Sequence, residues 1–116
     1  MAYGGSCHCG DVTFTVDDDP PASAMNCNCS HCRRKGFLLS FVPGDRFTLT
    51  AGDDRLTGYL FNRHAIAHRF CVTCGCQPFG MGKAPDGTAT VAVNLRCVPD
   101  IDLDALTIER VDGASF

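Results

Sequence analysis

The chain has no apolar run long enough to cross a membrane, which takes about 20 residues. It has no basic footprint either: Lys and Arg number 10 against 13 Asp and Glu, for a net charge of −3. A general nucleic-acid binder needs a basic face, and the only dense basic run here is Arg33-Arg34-Lys35. Glutamate is nearly absent, with Glu109 alone. That excludes the zinc-deaminase pattern, which sets a glutamate beside a metal ligand. The first residues, Met1 to Gly5, contain neither a charged n-region nor an apolar h-region, so no signal peptide and a cytoplasmic location are expected. Thiols stay reduced in that compartment, and an odd cysteine count fits a disulfide framework poorly. Helical periodicity is also scarce.

Cysteine is what the chain does have: nine in 116 residues, eight of them in three clusters. These are Cys7-His8-Cys9, Cys27-Asn28-Cys29-Ser30-His31-Cys32 and Cys71-Val72-Thr73-Cys74-Gly75-Cys76, with Cys97 apart. C-x-C and C-x-x-C pairs bring two thiolates to one ion with little chain distortion, which is metal spacing. The length suits one domain over residues 1–116. Such a chain buries roughly two-thirds of its unfolded surface, so a structural zinc would reinforce a modest core.

Strand alternation and Gly/Pro/Asp punctuation run through the chain. Val12, Phe14 and Val16 alternate with threonines and predict a strand that Asp17-Asp18-Asp19-Pro20-Pro21 ends. Further strands are expected over 37–42, 46–50, 56–62 and 63–71. Residues 77–87, rich in Gly and Pro, read as loop. Residues 88–98 read as the strongest strand, with Val91, Val93, Leu95 and Cys97 on one face. A helical turn over 102–106 and a strand from Thr107 complete the pattern. The expectation is a mostly β, zinc-pinned domain of short antiparallel sheets.

On a strand, Cys7 and Cys9 would face one ion together. Cys71-x-x-Cys74 suits a knuckle, because Gly75 tolerates positive φ. The two pairs close a Cys₄ site with no open position, a structural site that staples segments about sixty residues apart. Cys27, Cys29 and Cys32 supply three ligands by themselves. Left at three, they form the open pattern of a catalytic zinc; Cys76, Cys97 or a histidine as fourth ligand would close the site.

Four motifs occur in order: Gly5-Ser6-Cys7-His8-Cys9-Gly10-x-Val12-x-Phe14, Cys27-x-Cys29-Ser30-x-Cys32-Arg33-x-x-Gly36, Phe70-Cys71-x-x-Cys74-Gly75 and Val93-Asn94-x-Arg96. From Gly5 to about Gly113 the chain resembles the glutathione-dependent formaldehyde-activating enzyme (GFA, or centromere-protein-V domain) family. The resemblance implies the all-β fold shared with Mss-four-like proteins and a structural zinc at Cys7, Cys9, Cys71 and Cys74. It also implies a second zinc at Cys27, Cys29 and Cys32, where the family's chemistry is placed. The implied activity is that of a carbon–sulfur lyase, joining glutathione and formaldehyde to S-hydroxymethylglutathione. Cys76 is not part of the family's ligand pattern.

A small-molecule thiol such as glutathione, taking a fourth position beside Cys27, Cys29 and Cys32, would lose its proton and could attack an aldehyde carbon. A positive donor would stabilise the developing alkoxide, and Arg33, Arg34, His31 and His64 are the candidates, with Arg33 foremost. The alternative class is a non-catalytic zinc-stabilised module that binds a protein or senses thiols. No nucleic-acid or membrane partner is expected, and a homodimer stays open. Elsewhere the plainer readings are structural. His8 and His31 flank ligands, and His64 and His68 sit on a strand at surface or packing positions. Cys97 is a small buried hydrophobe or a thiol near the second zinc. Asn94 and Arg96 are solvent-facing unless the pocket uses them. Phe37, Phe41, Phe47, Phe61, Phe70 and Phe79 are core candidates, Phe37 and Phe79 also pocket walls.

Overall fold

The structure, a computed structural model, describes residues 2–59, 67–84 and 86–112. Phe61, His64 and the adjoining ends of the strands expected over 56–62 and 63–71 lie outside the described residues. The strands are β1 (Tyr3–Ser6), β2 (Thr13–Val16), β3 (Ser23–Cys27), β4 (Leu39–Pro43), β5 (Phe47–Ala51), β6 (Leu56–Tyr59), β7 (Ala67–Cys71), β8 (Phe79–Lys83), β9 (Ala89–Asn94) and β10 (Thr107–Val111). One helix, α1 (Ser30–Lys35), sits between β3 and β4. The mostly β expectation holds. None of the described helices is long and apolar enough to cross a membrane.

The strands form a three-stranded sheet, β1-β2-β5, and a seven-stranded sheet, β10-β3-β4-β9-β8-β7-β6. All pairings are antiparallel except β10 with β3, which is parallel. Val12, Phe14 and Val16 from the small-sheet region and Phe79, Val91, Val93 and Leu95 from the large-sheet region are each 2% exposed or less and share one core. Phe47 bridges the layers, its ring 5.3 Å from Phe14 and 4.7 Å from Phe79. Gly5 is required at this junction: a Cβ there would collide with the Cys97 carbonyl oxygen and stand 2.6 Å from the Phe14 ring.

The register places the functional side chains. Cross-strand partners, and residues two apart on one strand, share a sheet face. Val42, Val91, Val93, Phe79 and Cys71 line the face toward the core. The opposite face carries a row that crosses five strands: Tyr59, His68, Gly80, Ala92 and Phe41. Leu39 pairs with Asn94 and Met25 with Leu39, so this outer face also holds Cys27, two residues beyond Met25. Helix α1 lies over it, with the His31 ring 4.0 Å from that of His68.

Several expectations are corrected. The segment over 77–87 is not all loop: it contains β8, paired on both sides by β7 and β9. That double pairing outweighs the weak strand propensity of Gly80 and Gly82. The following strand stops at Asn94 rather than Val98. The Asn94 side chain accepts from the Arg96 amide and opens a 3₁₀ turn over Leu95–Cys97, which takes Cys97 off the apolar row. Cys7 and Cys9 lie in a turn after β1, not on it: the Gly10 amide donates to the Cys7 carbonyl at 3.3 Å. Phe41 is 48% exposed on the outer face, not core. Asn94, read as either solvent-facing or used by the pocket, is 8% exposed. The 3₁₀ turn over Leu103–Ala105 and β10 fall where a helical turn and a strand were expected.

Candidate metal centres and the adjoining cavity

Two tight turns build the first group. Amides of Val12 and Thr73 donate to the sulfurs of Cys7 and Cys71, each at 3.4 Å. In the second turn the Gly75 amide bonds the Cys71 carbonyl at 2.9 Å, and Gly75 takes φ 79°, as its place in the knuckle predicts. Thr73 Oγ1 donates to Asp11 Oδ2 at 3.3 Å and ties one turn to the other. The sulfurs of Cys7, Cys9, Cys71 and Cys74 all lie within 4.8 Å of one another. Cys7–Cys9 and Cys9–Cys71 separations are 3.6 and 3.7 Å. These are far too long for a disulfide. They match the edge of a tetrahedron of sulfurs around zinc, about 3.8 Å for Zn–S bonds of about 2.3 Å.

The charges in this group point the same way. Burial opposes ionisation of Cys74, but the Cys76 and Cys9 amides and the Cys7 and Cys71 thiols bring it down to about 6. The Asp11 amide favours the Cys9 thiolate, yet burial and the thiols of Cys7, Cys71 and Cys74 together push Cys9 up to about 12. Four thiolates cannot share this space unless a cation neutralises them, and a coordinating metal deprotonates its thiols outright.

The second group forms where β3 passes into α1. Cys27 ends β3, Cys29 caps α1 and Cys32 is buried in its first turn. Cys29 Sγ accepts the Cys32 amide at 3.3 Å, the role that a serine or aspartate oxygen plays at other helix starts. Gly36, at φ 70°, closes the helix by donating to the Cys32 carbonyl at 2.9 Å. The three sulfurs lie within 4.8 Å of one another. Burial opposes ionisation of Cys29, but the Cys32 amide, then the Cys32 and Cys27 thiols and the His31 amide, hold it below the ordinary thiol range. Cys32 is shifted upward by burial, then by Cys29 and Cys27. Among the described residues, no fourth His, Cys, Asp or Glu joins this group.

Cys76 and Cys97, the two cysteines that could have closed it, stand by the first group instead. Burial, then Cys76, Cys7 and Cys74, pushes the Cys97 thiol up to about 12. Cys97 also receives the Asn94 amide at 3.7 Å. Asn94 Nδ2 bonds the Gln77 carbonyl oxygen at 2.9 Å and Arg96 Nε bonds that of Gly36 at 2.8 Å. Both residues therefore brace the loops around the site.

Next to the second group lies a cavity of about 360 Å³ lined by His31, Arg34, Lys35, Tyr59, Phe70 and Gln77. Positions 31, 34 and 35 share a helix face by their i, i+3, i+4 spacing. Arg33 points to another side of α1 and is exposed, outside this lining. The walls are aromatic: His31 packs 5.6 Å from Phe37 and 5.7 Å from Tyr59, and Lys35 Nζ lies 5.4 Å over Phe70. Burial first, then His31 and Lys35, brings His68 down to about 4. Burial and Lys35 also lower His31 from its ordinary value. His68 Nδ1 pairs with Gln77 Nε2 at 3.2 Å. Gln77 and Tyr59 escaped sequence reasoning, as did the stacking of His31, a named donor candidate, on His68, read as a surface or packing residue. The one signal available was the helical spacing of His31, Arg34 and Lys35, hidden by the brevity of α1.

The fold and the two thiol groups define a cysteine-rich, metal-binding β domain. The sequence model of the family described as glutathione-dependent formaldehyde-activating enzyme matches residues 2–105, and the chain belongs to that family. Its fold is similar to the crystal structure of a Rhodobacter sphaeroides protein from a structural genomics programme. That structure is 26% identical, with a TM-score of 0.79, over 93% of this chain and 99% of the other. The donor sets fit zinc: four thiols at tetrahedral spacing in the first group and three in the second.

Proposed function

We propose that this protein is a zinc-dependent enzyme of the carbon–sulfur lyase type. It joins or separates a small-molecule thiol, glutathione-like, and an aldehyde, with formaldehyde the candidate inherited from the family. The observation that carries this reading is the group Cys27, Cys29 and Cys32, three thiol donors without a fourth among the described residues, beside a cavity with two cations. A zinc held there would supply an open position at which a thiol is bound and deprotonated near neutral pH.

The chain's own groups account for the rest. Arg34 and Lys35 give the cavity its positive charge, and they suit a carboxylate of a peptide-like thiol better than Arg33 does. Tyr59, Phe70 and His31 give the cavity aromatic walls. In the forward direction the thiol sulfur bonds to the aldehyde carbon and the C=O π bond breaks. The thiol proton ends on the new hydroxyl, so no oxidant or reductant is needed.

Cys29→Ser is the variant that isolates the claim, because serine keeps the helix cap while removing a thiolate. Exchange NMR of glutathione with formaldehyde should show acceleration by the wild type. The variant should lose at least about a hundredfold of it, the scale of removing a group that acts directly on the transition state. It should keep its circular dichroism and lose the metal of one site. A folded, metal-loaded wild type that leaves exchange untouched would instead be a non-catalytic zinc-stabilised binding module.

A further inference from the structure

The seven-stranded sheet is only partly covered on its inner face. Phe79 and Met81, two residues apart on β8, share that face with Val93 and Val91, their partners on β9. Phe79 is 2% exposed beneath the ring of Phe47 from the small sheet, whereas Met81 is 41% exposed. The small sheet ends at β5, and there the two layers open on a cleft of about 380 Å³. Small-molecule sites run from about 300 to 1,000 Å³. Phe47 and Leu49 of β5 form one wall, and Phe79, Met81 and Val91 form the other. Alternation along β7 separates this cleft from the candidate catalytic site: His68 meets His31 of α1 on the outer face, and Arg69, the next residue, lines the cleft.

Arg69 is the one cation in the cleft lining among the described residues. Its side chain is 27% exposed. A guanidinium offers five N–H donors in a planar fork. The partners it meets among the described residues are Met81 Sδ, a weak acceptor at 3.9 Å, and Asp53 Oδ1 at 3.8 Å. An N–H···O bond needs about 2.7–3.2 Å, so the fork engages neither well. The Asp53 side chain is 89% exposed, which makes this ion pair a loose surface one. A largely buried guanidinium beside apolar walls, with its donors poorly engaged, suits a carboxylate, which Arg grips through two parallel bonds.

We propose that the cleft between the sheets is a second binding site, for a small monocarboxylic acid with an apolar tail. Arg69 takes the carboxylate in place of Asp53, and the tail lies between Phe47 and Leu49 on one side and Met81 and Val91 on the other. The charge and the tail are both needed: an alcohol of the same shape leaves the fork unfilled, and acetate leaves the walls uncovered. The site is independent of the lyase reading, because it lies on the opposite face of β7 from the cavity beside α1.

The test is an amide NMR titration of the zinc-loaded protein with 4-phenylbutanoate, with 4-phenylbutan-1-ol and with acetate. The acid should shift the amides of Leu49, Arg69, Met81 and Val91 saturably. The alcohol and acetate should each bind at least about tenfold more weakly, the scale of one charge-assisted hydrogen bond or one buried apolar group. Arg69→Gln should bring the acid to the affinity of the alcohol with circular dichroism unchanged. Asp53→Asn removes the competing carboxylate, so it should tighten the acid about twofold to fivefold, the scale of a loose surface ion pair, and leave the alcohol as it was. Equal affinity for acid and alcohol, or an Arg69→Gln protein that binds the acid as wild type does, would overturn the inference. So would acetate binding as tightly as the acid, or the absence of saturable shifts at these amides.

Discussion

Asn94 shows how one side chain can hold a site without touching its chemistry. Its Nδ2 bonds the Gln77 carbonyl, its Oδ1 accepts the Arg96 amide, and it is nearly buried. Asn94→Ala strands both partners, so it should lower unfolding free energy by about 1–3 kcal/mol, read from urea denaturation. A loss below about 0.5 kcal/mol would mean that water replaces both bonds. His68 sets a pH dependence. Its folded value near 4 lies below the ordinary 6.5, so between these limits the unfolded chain binds more protons. Its contribution to stability is full above about 6.5 and is lost as pH falls toward 4. In His68→Gln the decline of Tm over that window should be shallower than in wild type. Parallel declines would place the proton uptake elsewhere.

At the scale of the element, short pieces without periodicity were the hardest to read. β2 was legible because Val12, Phe14 and Val16 alternate and all three are buried. The cysteine clusters were legible because ligand spacing is a property of the local chain, and the structure gathers the two sets at the spacings a metal needs. Helix α1 was not legible: six residues complete less than two turns, and a sulfur cap is not a usual helix signal. β8 was hidden because its strand state comes from two neighbours, not from its own glycine-rich sequence. The cavity followed from both omissions, since α1 and the outer sheet face form its walls. Gly36 now carries a specific expectation. At φ 70° an alanine meets the left-handed penalty, about 1–2 kcal/mol. Gly36→Ala should therefore fray α1 and weaken metal retention at Cys27, Cys29 and Cys32, measured as faster zinc loss to a colorimetric chelator. The first group should keep its metal.

Across the whole molecule the two thiol groups have unequal mechanical roles. Cys7 and Cys9 follow β1 of the small sheet, whereas Cys71 ends β7 of the large one. A metal on these four thiolates joins the two sheets across about sixty residues of chain and constrains the unfolded state, so its binding energy becomes folding energy. The second group spans only Cys27 to Cys32, a short loop whose closure restricts the unfolded chain much less. Cys9→Ser should therefore lower Tm considerably more than Cys27→Ser, although each removes one ligand. Cys9 is itself exposed, so the difference cannot arise from a cavity in the core. Thermal melts at matched zinc concentration, with metal content measured before and after, test this directly. A strong chelator should melt the wild type and Cys27→Ser at nearly the same temperature, because both then lose the joint between sheets. Equal Tm losses in the two variants before chelation would show that the first group closes no critical loop, and the staple would have to be sought in the Phe14–Phe47–Phe79 stack instead.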